Sequence, residues 1–123
     1  MMVPTRSWAE VAQLYRRLEQ TAPTFAPLRR LCEHAEHAPY RDVIFCATSM
    51  HTLLVSQHSE LEWNCNTLRV EVDHHDHISF AFHEQPFVKP VTFRCSAEEI
   101  LETFDRFLRK NKWVSESALD QCR

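Results

Sequence analysis

The chain has 123 residues, with 44% apolar and 25% charged residues, so one hydrophobic core needs no disulfide or metal staple and a disordered or fibrous chain is excluded. Its formal charge is −3, its basic pairs Arg16-Arg17, Arg29-Arg30 and Arg109-Lys110 have acids nearby, and no apolar run nears the ~20 residues of a membrane span, all of which argues against nucleic-acid and membrane partners. The chain contains no glycine, which excludes a P-loop, a GxGxxG dinucleotide loop and a GxSxG nucleophile elbow, since each needs backbone without a Cβ.

Met1 to Glu10 lacks the basic-then-apolar pattern of a signal peptide. Ser7 and Glu10 then form an S-x-x-E capping box, in which each side chain satisfies an orphan amide of a helix start. Trp8, Val11, Ala12, Tyr15 and Leu18 follow at helical spacing, and Thr21-Ala22-Pro23 ends the run because proline disfavours the helical region in the residue before it. A second helix is expected from about Thr24, with Pro27 in the first turn, where its missing amide costs nothing. Leu28, Leu31, Cys32 and Ala35 form its apolar stripe, and Pro39 follows its end.

Strand chemistry begins at Val43. Val43 to Thr48 is apolar on both faces, Ser49-Met50-His51 turns the chain, and Thr52 to Ser56 returns it. Gln57 to Asn66 is polar and reads as a loop, with Asn64-Cys65-Asn66 as a turn. Leu68, Val70 and Val72 then alternate with Arg69, Glu71 and Asp73, and Ile78, Phe80 and Phe82 alternate with Ser79, Ala81 and His83. Period two means one buried and one wet face. The link His74-His75-Asp76 is hairpin-sized, and Asp76 is the candidate for positive φ. Val91 to Arg94 reads as a short edge strand after Pro90. Ser96 and Glu99 form a second capping box, followed by Ile100, Leu101, Phe104, Phe107, Leu108 and Trp113 on the apolar side of a last helix.

The order helix, helix, consecutive strands, helix predicts an α+β two-layer sandwich: an antiparallel sheet of four or five strands with helices packed on one face. A single domain over residues 1–123 is expected, with its core at about 7–113 and a polar tail at 114–123. The five cysteines form no CxxC, which points to free thiols in a reducing compartment, hence a soluble cytoplasmic protein.

Chemistry-bearing residues fall in a few groups. His34 and His37 lie three apart on the second helix, and His75 and His77 lie in the Asp73-His74-His75-Asp76-His77 run. Imidazoles are common metal ligands, so these four are the candidates for a weak site for zinc or another divalent metal. The opposing reading is solvated histidines at a helix end and in a turn, because one short turn cannot converge all its ligands on one ion. Cys46 sits in an apolar strand near His51, where a buried thiol carries little thiolate and makes a poor nucleophile. Asp42 and Asp105 have no visible partners in the sequence. No catalytic residue is assigned.

The remaining candidate is the wet sheet face and its hairpin: Arg69, Glu71, Asp73, His77 and His83, with Trp63 and Phe87 as loop aromatics beside it. Mixed charge there suits cross-strand pairing or recognition of another protein. The function expected is a non-enzymatic protein-interaction module, a binder or inhibitor comparable in kind to an immunity protein, with a homodimer through the edge strand as a further expectation. The alternatives are a histidine-dependent metal-binding protein or metalloenzyme, and a small-molecule-binding domain.

Overall fold

Ser7 starts helix α1 (Trp8–Thr21) through the expected capping box: its hydroxyl accepts the Glu10 amide, and the Glu10 side chain reaches back to Ser7. The computed structural model describes residues 2–62, 66–73, 77–84 and 88–115. A single 3₁₀ turn, Pro23–Phe25, carries the chain into α2 (Ala26–Glu36), so the second helix begins two residues after the expected Thr24. Proline at its start leaves only a tight turn before the regular helix. Leu28, Leu31, Cys32 and Ala35 are fully buried, as their spacing requires.

The first strand is shorter than its apolar run. Tyr40 accepts the amides of Val43 and Ile44 in a turn, so β2 spans Phe45–Ser49 and Val43 is left 53% exposed. It pairs with β3 (Thr52–Ser56) through a two-residue link, Met50-His51, at φ 49° and 72°. Two left-handed residues match the right-handed twist of a hairpin. The chain holds this turn without glycine by capturing it: the Tyr15 hydroxyl donates to the His51 carbonyl, and the His51 ring packs edge-on against Phe25.

Next come β5 (Thr67–Val72), β6 (His77–His83) and β7 (Val91–Ser96), the last running two residues beyond the expected Arg94. The sheet is five-stranded and fully antiparallel, in the order β2-β3-β5-β6-β7. The fold is therefore α+β, with an antiparallel sheet and helices packed against it. A two-stranded ribbon was not legible as such: β1 (Met2–Pro4) pairs with β4 (Glu60–Glu62), inside the stretch read as a polar loop. Three-residue strands carry too little alternation to register as a period.

Helix α3 (Ile100–Lys110) is entered through the Ser96–Glu99 capping box and one 3₁₀ turn, Ala97–Glu99. It ends in a Schellman motif: the Lys112 amide donates to Arg109 and the Trp113 amide to Leu108, with Lys112 at φ 57°. The core lies between the helices and one sheet face. It joins Trp8, Val11 and Tyr15 of α1, Leu28 and Leu31 of α2 and Phe104, Phe107 and Leu108 of α3 to Leu53, Val55, Leu68, Val70, Ile78, Phe80 and Phe82. Trp113, beyond the helix, closes it against Phe107 and Phe82. Among the described residues no helix is long and apolar enough to cross a membrane. Asp76, the expected positive-φ residue, and the Asn64-Cys65 part of the proposed turn lie outside the described residues.

Candidate functional site

Helices cover only one face of the sheet, and strand alternation aims a second set of side chains the other way. Register puts Ala47, Leu54, Arg69, Ala81 and Thr92 in one row across all five strands. Glu71, Ser79 and Arg94 form the next row on β5, β6 and β7. Ala47 and Leu54 make a small buried apolar pair on this side. Toward β7 the face opens into a shallow depression of about 450 Å³, lined by Arg69, Glu71, Ser79, Ala81, Thr92 and Arg94.

The five residues expected to form this surface share it. Arg69 and Glu71 are exposed on β5, His83 stands opposite Thr67, and Asp73 and His77 close the hairpin below them. The Asp73 amide donates to the His77 carbonyl, and the His77 amide donates to the Asp73 carboxylate. Asp73 also pairs with Arg94, two strands away. Glu71 accepts a 3.1 Å hydrogen bond from the Thr52 hydroxyl on β3. Bases and acids therefore share the face, and part of the charge is held in place by neighbouring strands. Trp63, Phe87 and His75 lie outside the described residues.

The histidines proposed for a metal engage different partners. His34 Nε2 lies 3.2 Å from a carboxylate oxygen of Asp105, whereas His37 caps the end of α2, its side chain 79% exposed and 4.0 Å from Glu36. Their three-residue spacing does not act as a shared helix face, because regular helix stops at Glu36. Among the described residues no group of three or more His, Cys, Asp or Glu side chains could hold a metal ion.

Asp105, which showed no partner in the sequence, has two: His34 and the Tyr40 hydroxyl at 3.1 Å. These contacts tie α2 and the loop after it to α3. Tyr40 is fully buried, and its ring lies against Phe104, which in turn meets Trp8. The partners are 65 and 71 residues apart in the chain, so no local spacing signals them. A carboxylate, an imidazole and a phenol that satisfy one another inside a helix junction form a structural tie.

Among the described residues, the thiols of Cys32 and Cys46 are buried and that of Cys95 is partly so. Burial pushes Cys46 up to about 12 and raises Cys32 well above the ordinary thiol range. Burial also raises Cys95, against an opposing hydrogen bond from Thr103. At neutral pH these groups carry little thiolate, so they lack the state that attacks an electrophile or binds a metal.

A second concavity, of about 290 Å³, lies between α3 and the sheet edge. Phe82, Val91, Phe93 and Phe107 line its apolar part, and Glu84, Arg106 and Lys110 its polar part. No sequence period revealed it, because it forms where a helix end meets an edge strand. No family model matches this chain, and comparison with curated proteins and with solved structures finds no match either.

Proposed function

We propose that this chain is a non-catalytic protein-binding module that presents the open sheet face to a protein partner, in the manner of a small binder or inhibitor. The observation that carries the reading is the charged cluster of Arg69, Glu71 and Arg94, spread over two neighbouring rows of the sheet, around a depression that no described helix covers. Strand-borne side chains are positioned more firmly than loop-borne ones, and charge of both signs selects a partner by register rather than by bulk attraction. A net charge of −3 with scattered bases favours a protein over a nucleic acid as that partner.

The test compares capture from the native lysate by the wild type and by Arg69→Glu, which reverses one exposed charge without touching the core. The variant must first show the wild-type circular dichroism and melting temperature. A partner bound by the wild type and lost by the variant supports the proposal. Identical capture by both, or the same partner retained at the same affinity, overturns the assignment of this face.

A further inference from the structure

We propose that β7 is the pairing edge of a two-fold dimer, in which Phe93 stands opposite Phe93 of a second copy and the two sheets join into one of ten strands. The inference is independent of the use proposed for the open face.

The sheet has two edges, and they differ. At β2 the outer side is engaged: the Arg6 amide donates to the Cys46 carbonyl, and Arg6 and Cys46 form an antiparallel bridge. At β7 no described strand pairs with the outer side. Alternate residues there turn amides and carbonyls to a side that no described strand occupies, the arrangement that templates strand addition. Guards on this edge are few: the one charged residue of β7, Arg94, is engaged by Asp73 on the open face, no proline lies within the strand, and Val91 is 61% exposed.

A perpendicular two-fold axis restricts the register. Helices of both copies stay on one side of a continuous sheet only if a residue faces its own symmetry mate. Centring on Phe93 sets Val91 opposite Cys95 and Thr92 opposite Arg94 of the second copy. The apolar side then continues across the joint, since Phe93 is already stacked on Phe80 at 4.8 Å and on Phe107 at 6.1 Å.

Helix α3 supplies the charge complement. It runs back along β7, with Lys110 and Asn111 beside Val91. Its outward stripe reads Glu102, Arg106, Lys110, with Arg106 bound to Glu102 at 3.0 Å. The acid sits toward the helix start and the base toward its end, four residues either side of Arg106. The axis that pairs Phe93 with itself sets the two α3 helices antiparallel, so the Glu102 end of each stripe lies toward the Lys110 end of the other, and the Arg106 pair nearest the axis is offset by the Glu102 that each Arg106 binds. Val91 and Phe93 of β7 and Arg106 and Lys110 of α3 line the same cleft, so a second copy paired at β7 adjoins it. Helix and strand thus favour the same two-fold arrangement.

Sedimentation velocity and equilibrium on the full chain test this. The wild type is expected to dimerise reversibly. Val91→Lys, an exposed substitution that puts a charge on the edge, raises the dissociation constant by about tenfold or more while leaving the melting temperature of the monomer unchanged. Lys110→Glu and Glu102→Lys each weaken self-association by roughly three- to tenfold, whereas an equimolar mixture of the two variants forms a heterodimer at near wild-type strength. A wild type still monomeric at about 1 mM chain overturns the proposal, and a strand of another protein then becomes the edge's candidate occupant. A dimer insensitive to Val91→Lys, or charge variants whose mixture shows no recovery, also overturns it.

Discussion

Lys112→Gly is expected to stabilise the protein by about 0.5–1 kcal/mol, because this glycine-free chain ends its last helix on a left-handed lysine. Lys112 occupies the left-handed position of the Schellman motif at φ 57°, between Asn111 and the buried Trp113. Two hydrogen bonds, Lys112 to Arg109 at 3.2 Å and Trp113 to Leu108 at 3.0 Å, hold it there. They persist because Trp113 is locked edge-on against Phe107 at 5.0 Å. A side chain with a Cβ pays roughly 1–2 kcal/mol for this backbone state. Glycine removes that cost but adds about 0.5–1 kcal/mol of unfolded-state freedom, which leaves the net gain stated. Since Lys112 is exposed, little packing changes. Urea unfolding should show a higher midpoint at constant m-value, with a melting temperature raised by about 2–5 °C. Lys112→Ala is the control, because it removes the side chain and retains the Cβ. If glycine proves no more stable than alanine, the left-handed residue is not strained and the argument fails.

Further outcomes follow from the same structure. Met50→Asn, at a residue 96% exposed and φ 49°, should stabilise the first hairpin by up to about 1 kcal/mol, read by thermal melting, because asparagine tolerates the left-handed region. Phe104→Ala, which removes the ring between Trp8 and Tyr40, should cost about 3–5 kcal/mol in urea unfolding. Cys32 and Cys46 should resist a thiol reagent in the native protein at pH 8 and react fully once it is unfolded, since burial holds both well above the ordinary thiol range. Glu33 is held below its usual 4.5 first by the Arg16 hydrogen bond and then by Arg29. Its contribution is therefore complete above about pH 4.5 and lost as pH falls through the depressed folded value. Wild type and Glu33→Gln should accordingly converge in melting temperature as the pH drops from 6 toward 3.

Local interactions made much of the fold legible in the sequence. The capping boxes at Ser7 and Ser96, the apolar stripe of α2 and the alternation of β5 and β6 each depend on neighbours within four residues. Strict period two in β5 and β6 already placed Arg69 and Glu71 on a wet face, and the register confirms which side chains they neighbour. What the sequence could not state were the contacts that close long loops. The Asp105 junction with His34 and Tyr40, the ribbon of β1 with β4, and the Arg6 bridge that occupies one sheet edge all join residues tens of positions apart.

The positive-φ residues make the same division sharper. Absence of glycine told that non-glycine residues must take left-handed backbone, but composition carries no address for them. Met50, His51 and Lys112 take those positions because Tyr15, Phe25 and the Trp113 cluster hold the adjoining chain from other elements. Sequence by itself determined the three helices, the five strands of the main sheet and which way their side chains alternate. Tertiary packing decided which sheet edge the Arg6 bridge engages and which polar groups met, since those outcomes depend on pairing between distant segments.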